Sequence, residues 1–175
     1  MTNYAFPPAD INSLAVTGKS ERFPVNRIIC VGRNYAAHAR EMGMDPGRIP
    51  PFFFMKPVCA LVEAGADEIT IPYPPMTKNF HHEIELVVAI SKGGSNIAEA
   101  QALDHIYGYA VGLDMTRRDL QLEACSNRQP WEFGKSFSHS APIGPIIPAG
   151  QTGRMTGAAI SLDVNGQIRQ TSNIN

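Results

Sequence analysis

His81-His-Glu-Ile-Glu-Leu-Val-Val-Ala-Ile90 is the stretch on which the fold turns. Read as a strand, it places residues i and i+2 on one face, so Glu83 and Glu85 project together while Ile84 and Leu86 point the other way. Two carboxylates on an edge strand would ordinarily face water. This strand instead runs on as the unbroken apolar Leu86–Ile90, the pattern of a buried strand. Like charges on neighbouring same-face positions repel, and burial magnifies the repulsion unless a cation lies between them. His81 falls on the same face and could add a nitrogen ligand, although hydrogen bonding within the core is the plainer role for it.

Downstream, Ile106-Tyr-Gly-Tyr-Ala-Val-Gly-Leu113 reads as a second strand that ends at Asp114. Thr116-Arg-Arg-Asp119 fits a capping box for a helix running to about Ala124. Asp114 could itself cap that helix; Thr116 and Asp119 already supply a cap, which weakens that role and favours Asp114 as a third ligand beside Glu83 and Glu85. Such an oxygen-rich set suits Mg2+, Mn2+ or Ca2+ rather than zinc. Arg118 and Gln121, at i and i+3, share a helix face and could hold a substrate carboxylate. Lys135 stands in Trp131-Glu-Phe-Gly-Lys-Ser-Phe137. There it could be a desolvated ammonium that stabilises an enolate or a carboxylate, or a lysine snorkelling over an aromatic surface.

Upstream, Arg27–Val31 is a short β run stopped by Gly32, and Tyr35–Met42 has helix formers ending at Gly43. His38 and Glu41 lie on one face of that helix, so the carboxylate could orient the imidazole as a general base, although surface helices commonly carry such neighbours. Phe52-Phe-Phe-Met55 is expected as a buried strand closed by Lys56-Pro57. Ile97–Asp104 has helical character. Ala159–Val164, Asn165-Gly166 and Gln167–Gln170 make a hairpin whose Asn-Gly supplies the positive φ angles of a type I′ turn. Fourteen prolines and 15 glycines favour short segments. The expected architecture is a β-rich α+β domain with short helices over 27–175, preceded by an N-terminal arm, 1–26.

Composition narrows the function classes. The chain has 175 residues, 43% hydrophobic and 18% charged, with 15 basic and 16 acidic residues and no basic stripe, which argues against nucleic acid as partner. Cys30, Cys59 and Cys125 form no C-x-x-C pair, so neither a zinc ribbon nor a disulfide framework is indicated, and a reducing cytoplasm is expected. The N-terminus does not read as a signal peptide, and no apolar stretch reaches membrane-spanning length.

Four segments carry a further signal: Val31-Gly-Arg-Asn-Tyr-Ala-Ala-His38, His81-His-Glu-Ile-Glu85, Tyr107–Gln121 and Pro130–Phe137. In order and spacing they resemble the fumarylacetoacetate hydrolase superfamily, and within it the bacterial fumarylpyruvate hydrolases with their acylpyruvate hydrolase relatives. The resemblance implies a fumarylacetoacetase-like mixed β-roll and metal ligands Glu83, Glu85 and Asp114. It further implies a lid dyad of His38 and Glu41, an active-site Lys135, and Arg118 and Gln121 facing substrate. No acid occurs between Ile28 and Ala37, so a three-carboxylate site is implied. The implied cofactor is Mg2+ or Mn2+, the substrate a small 2,4-dioxo acid such as fumarylpyruvate in gentisate breakdown, and the assembly a homodimer. Oxaloacetate decarboxylation and hydroxy-dienoate isomerisation are alternatives on the same platform. Family members continue beyond the last hairpin through a helix and a Thr-Gly-Thr-Pro turn, so the chain is expected to be C-terminally incomplete relative to them. A non-catalytic metal-binding or oligomerisation module is a further alternative.

Overall fold

The computed structural model of the chain describes residues 2–32, 34, 51–65 and 67–174. Thirteen strands occur among them. Strand β1 (Ser13–Ala15) pairs antiparallel with β2 (Arg22–Pro24), and β3 (Ile28–Gly32) with β4 (Phe52–Lys56). A 3-10 turn at Val58–Ala60 leads to β5 (Leu61–Glu63). Then come β6 (Phe80–His81), β7 (Ile84–Ile90), a 3-10 segment at Glu99–His105, β8 (Ile106–Leu113) and β9 (Thr116–Arg117). Helices α1 (Arg118–Ser126) and α2 (Glu132–Lys135) precede β10 (Ala141–Ile143), β11 (Ile147–Pro148) and α3 (Ala149–Thr152). The chain ends in the hairpin β12 (Ala159–Val164) and β13 (Gln167–Asn173).

The main sheet is mixed, and β8 is its hub. It pairs antiparallel with β7, β10 and β11, while β10 pairs parallel with β5. The core lies where β1 packs beside this sheet: Leu14, Ala89, Ala110, Ile143 and Ile146 are buried together, flanked by Phe23, Val25, Leu61, Val87 and Tyr107. The N-terminal segment therefore contributes core residues. Alternation along β7 puts Glu83, Glu85, Val87 and Ala89 on one face. Val87 and Ala89 pack into the core and draw the two glutamates under cover at its end.

Four expectations need correction. Phe52–Met55 is not a buried strand: Phe53 is 58% and Met55 50% exposed, and the residue that burial claims is Lys56, at 2% exposure. The pleat explains this, because Phe52 and Phe54 turn onto Trp131, at ring distances of 4.7 and 5.8 Å, and leave Phe53 and Met55 outward. The apolar run of β7 is likewise covered on one side only, since Val88 and Ile90 are exposed. The capping box does not form. The residue before α1 is Arg117, with no side-chain cap. Thr116 is paired in β9, and the Asp119 carboxylate instead accepts from Thr77 Oγ1 and the Lys78 amide, pinning the preceding loop. The helical stretch expected at Ile97–Asp104 is the 3-10 segment Glu99–His105. The Asn-Gly turn forms as read, with positive φ at Asn165 (55°) and Gly166 (77°).

Gly134 lets α2 close onto α1, since a Cβ there would lie 2.9 Å from the Gln121 backbone. Gly134→Ala is expected to lower stability by roughly 1–3 kcal/mol through overpacking, and Leu14→Ala by roughly 2–5 kcal/mol through a core cavity. Tyr4→Ala, at an exposed position, should stay within about 0.5 kcal/mol. Urea unfolding of the three variants measures all of these.

Candidate metal centre

The ribbon formed by β6–β7 and β8–β9 is interrupted once on each side, and the acids stand at the interruptions. Ile84 pairs with Leu113 on one side of the break and His81 with Thr116 on the other. Between them the Asp114 amide donates to the Glu83 carbonyl at 2.8 Å. Glu85 sits opposite Gly112. Glu83, Glu85 and Asp114 thereby offer ligand atoms within 4.8 Å of one another. Gln170, from β13, brackets Glu83: its Oε1 accepts from the Ile84 amide at 2.9 Å, and its Nε2 donates to the His82 carbonyl at 3.1 Å.

Three cations face these three acids. Lys135 Nζ is 2.8 Å from Glu83 Oε2 and 2.6 Å from Asp114 Oδ2, and it donates to Thr116 Oγ1 at 2.7 Å. Lys56 Nζ lies 2.9 Å from Asp114 Oδ1. Arg118 donates to Glu83 Oε1 through Nη2 and to Gln121 Oε1 through Nη1. Burial would push Glu83 upward, but Lys135 and Arg118 outweigh it and hold the carboxyl below its ordinary range. Glu85 has neither hydrogen bond nor ion pair among the described residues. Burial first, and then repulsion from Asp114 and Glu83, pushes it up from 4.5 to about 7. Burial likewise lowers Lys56, partly offset by Asp114.

The donor set fits a divalent cation. All three groups are hard carboxylates. Glu85 is unpaired, and Asp114 Oδ1 is a buried acceptor that takes no hydrogen bond, its contact with Lys56 being ionic without hydrogen-bond alignment. A cation among them would satisfy both. His81 lies in β6 outside the ligand cluster, with its imidazole held below its usual range by burial and by Arg118.

The structure brings together Glu83, Glu85, Asp114, Lys135, Arg118 and Gln121. His38 and Glu41 lie outside the described residues. Arg117, adjacent to Arg118, turns away and stacks over Phe137 at 4.3 Å. Sequence reading missed Lys56, the contact of Thr116 with Lys135, and Gln170. For Lys56 a signal was present, namely a lysine closing a wholly apolar Phe52–Met55 run. For Gln170 there was none, since its partners are backbone groups 86 and 88 positions away.

Ionised Glu85 weakens the metal-free fold. A carboxyl raised from 4.5 to about 7 keeps its proton in the folded chain where the unfolded chain has lost it, so this group's contribution to stability falls as pH rises across that window. In EDTA, Glu85→Gln is therefore expected to melt above the parent chain at pH 8, with the gap narrowing as pH falls toward about 4. Thermal melts across the pH series test this, and a variant less stable at pH 8 would refute it.

Comparison with known proteins accords with this geometry. Residues 27–175 match the family model described as fumarylacetoacetate (FAA) hydrolase C-terminal. A fumarylpyruvate hydrolase of Ralstonia sp is 49% identical over 123 residues, covering 70% of this chain and 62% of that protein. An oxaloacetate tautomerase of Bos taurus is 40% identical over 143 residues, 82% of this chain and 63% of that one. The chain thus spans a little over six-tenths of the length of these curated relatives. Among solved structures, fumarylpyruvate hydrolase from Pseudomonas aeruginosa in complex with Mn2+ and pyruvate superposes with a TM-score of 0.95 at 56% identity, covering 98% of this chain and 74% of that one. With the family model matching residues 27–175 and a solved family structure 56% identical over nearly the whole chain, the chain belongs to the fumarylacetoacetate hydrolase family.

Proposed function

We propose that the chain forms the catalytic domain of a divalent-metal-dependent hydrolase that cleaves a carbon–carbon bond in a 2,4-dioxo acid, converting fumarylpyruvate to fumarate and pyruvate in gentisate breakdown. One observation carries the proposal: Glu83, Glu85 and Asp114 offer ligand atoms within 4.8 Å of one another, with the buried Lys135 paired to Glu83 and Asp114, in a chain 56% identical to a fumarylpyruvate hydrolase whose structure holds Mn2+ and pyruvate. Bound Mg2+ or Mn2+ would supply Lewis acidity to the substrate's oxo-acid end. Arg118 and Gln121 hold the substrate carboxylate. His38, oriented by Glu41, takes a proton from water, and the hydroxide oxygen bonds to the distal carbonyl carbon. The bond between that carbon and the adjacent methylene then breaks. Its electron pair passes into the enolate of pyruvate, whose charge the Lys135 ammonium receives. The proton held by His38 returns to the enolate carbon.

The 40% identity to an oxaloacetate tautomerase favours one second reading on the same residues, enolate chemistry on oxaloacetate by tautomerisation or decarboxylation. The homodimer belongs to the same proposal. Ile29, Phe53 and Met55 are exposed on one face of the β3–β4 pair and supply apolar surface for it. A cytoplasmic setting is supported by three unpaired cysteines. Among the described residues, no helix is long and apolar enough to cross a membrane.

Purified chain, incubated with Mn2+ or Mg2+ and fumarylpyruvate, is expected to deplete the enol absorbance and release fumarate and pyruvate in equal amounts. Glu83→Ala and Asp114→Ala should abolish both Mn2+ binding and turnover. Undiminished hydrolysis in either variant would defeat the metal role. Conversion of oxaloacetate without cleavage of fumarylpyruvate would favour the second reading, and Mn2+ binding without turnover of either substrate would indicate a non-catalytic module.

A further inference from the structure

Lys56 is remote from the other site residues in sequence and is 2% exposed, yet its ammonium meets the metal centre from behind. It donates to the backbone carbonyls of Met115, at 3.1 Å, and Lys135, at 2.5 Å, and lies 2.9 Å from Asp114 Oδ1. Its ring neighbour is Phe137, 5.5 Å from Nζ. Both members of the Lys56–Asp114 pair are almost wholly enclosed, whereas Glu83 and Arg118, on the Lys135 side, have side chains 20% and 16% exposed. The two oxygens of Asp114 are thus divided, with Lys56 behind Oδ1 and Lys135 in front of Oδ2.

A buried carboxylate needs a counter-charge, and removing its only partner leaves an uncompensated ion. Were Lys135 the sole cation at Asp114, it would be bound to that task and unable to turn toward a substrate. Resting on the hydrolase reading above, we propose that Lys56 is a positioning residue: the permanent counter-ion of Asp114, whose presence releases Lys135 for substrate and moderates the attraction of the site for a divalent ion. Lys56 cannot itself swing into the site without giving up its hydrogen bonds to two carbonyls, that of Lys135, which keeps Ser140 Oγ as a donor, and that of Met115. Its nitrogen is therefore anchored there, while Lys135 borders the more exposed side of the site. Without Lys56, the cluster carries one more unit of negative charge. Divalent ions then bind more tightly, and Lys135 is confined to neutralising Asp114.

The test uses Lys56→Met, of similar length and uncharged, and Lys56→Gln, uncharged but still able to donate to a carbonyl. Mn2+ binding is followed by the electron paramagnetic resonance of free Mn2+, and fumarylpyruvate turnover is measured alongside. Both variants are expected to bind Mn2+ about tenfold more tightly, while kcat falls about a hundredfold or more with KM within about threefold. A purely structural role would weaken both properties together. Unchanged or weaker Mn2+ binding, or kcat within about twofold of the parent, would overturn the proposal. So would failure of both variants to fold, which would assign Lys56 to holding the chain together. Absence of turnover in the parent chain would count against the hydrolase reading alone, and the Mn2+ arm would still decide the role of Lys56.

Discussion

The hydrogen bond from the Asp114 amide to the Glu83 carbonyl is the constraint on which the site depends. It is the one backbone link inside the break between the β6–β9 and β7–β8 pairings, and it fixes two acids 31 positions apart at adjacent points of one ribbon. The register is the same on both sides of the break, so Glu83 stands opposite Asp114, on the face that also carries Glu85. Thr116 Oγ1, donating to the Asp114 carbonyl at 3.0 Å, and Gln170, bonded to the amide and carbonyl on either side of Glu83, hold the backbone in place there.

Converging three acids at the edge of a hydrophobic core has an electrostatic consequence. Each carboxylate loses water, and mutual repulsion adds to that loss. The fold answers with Lys56, Lys135 and Arg118, which together match the acids in number. The compensation is uneven. Among the described residues, Glu83 is paired at both oxygens, Asp114 is paired but accepts no hydrogen bond at Oδ1, and Glu85 has no partner. A divalent ion arriving here meets a nearly neutral cluster with two unsatisfied acceptors. Its surplus charge then favours an anionic, chelating substrate over water. That balance suits chemistry in which an enolate must be accommodated and then released.

Periodicity made part of this legible in advance. Glu83 and Glu85 had to share a face once the stretch was a strand, and Arg118 and Gln121 had to meet once theirs was a helix. The Asn165-Gly166 turn followed from φ preferences local to two residues. Lys135 was suspect because a charge stood among Trp131, Phe133 and Phe137. Elsewhere local pattern misled. Thr116 and Asp119 have the spacing of a helix cap, but tertiary partners compete for both side chains: Lys135 takes the hydroxyl, and the Thr77–Lys78 loop takes the carboxylate. The Phe52–Met55 run looked buried throughout, yet a two-sided pleat covered on one side leaves alternate residues outside.

What the sequence by itself determined is the set of chemical groups and their local faces: two acids on one strand, a third at a strand end, an arginine and a glutamine one turn apart, and a lysine among aromatics. Family membership was also legible there, because the order and spacing of those motifs survive without any knowledge of contacts. Only the tertiary structure decided which cation serves which acid, why Glu85 is left unpaired, and that Lys56 and Gln170 belong to the site at all. The physical reason is range. Periodicity reaches a few residues, whereas burial and ion pairing act through space, and the partners of Asp114 lie 58 positions before it and 21 after it.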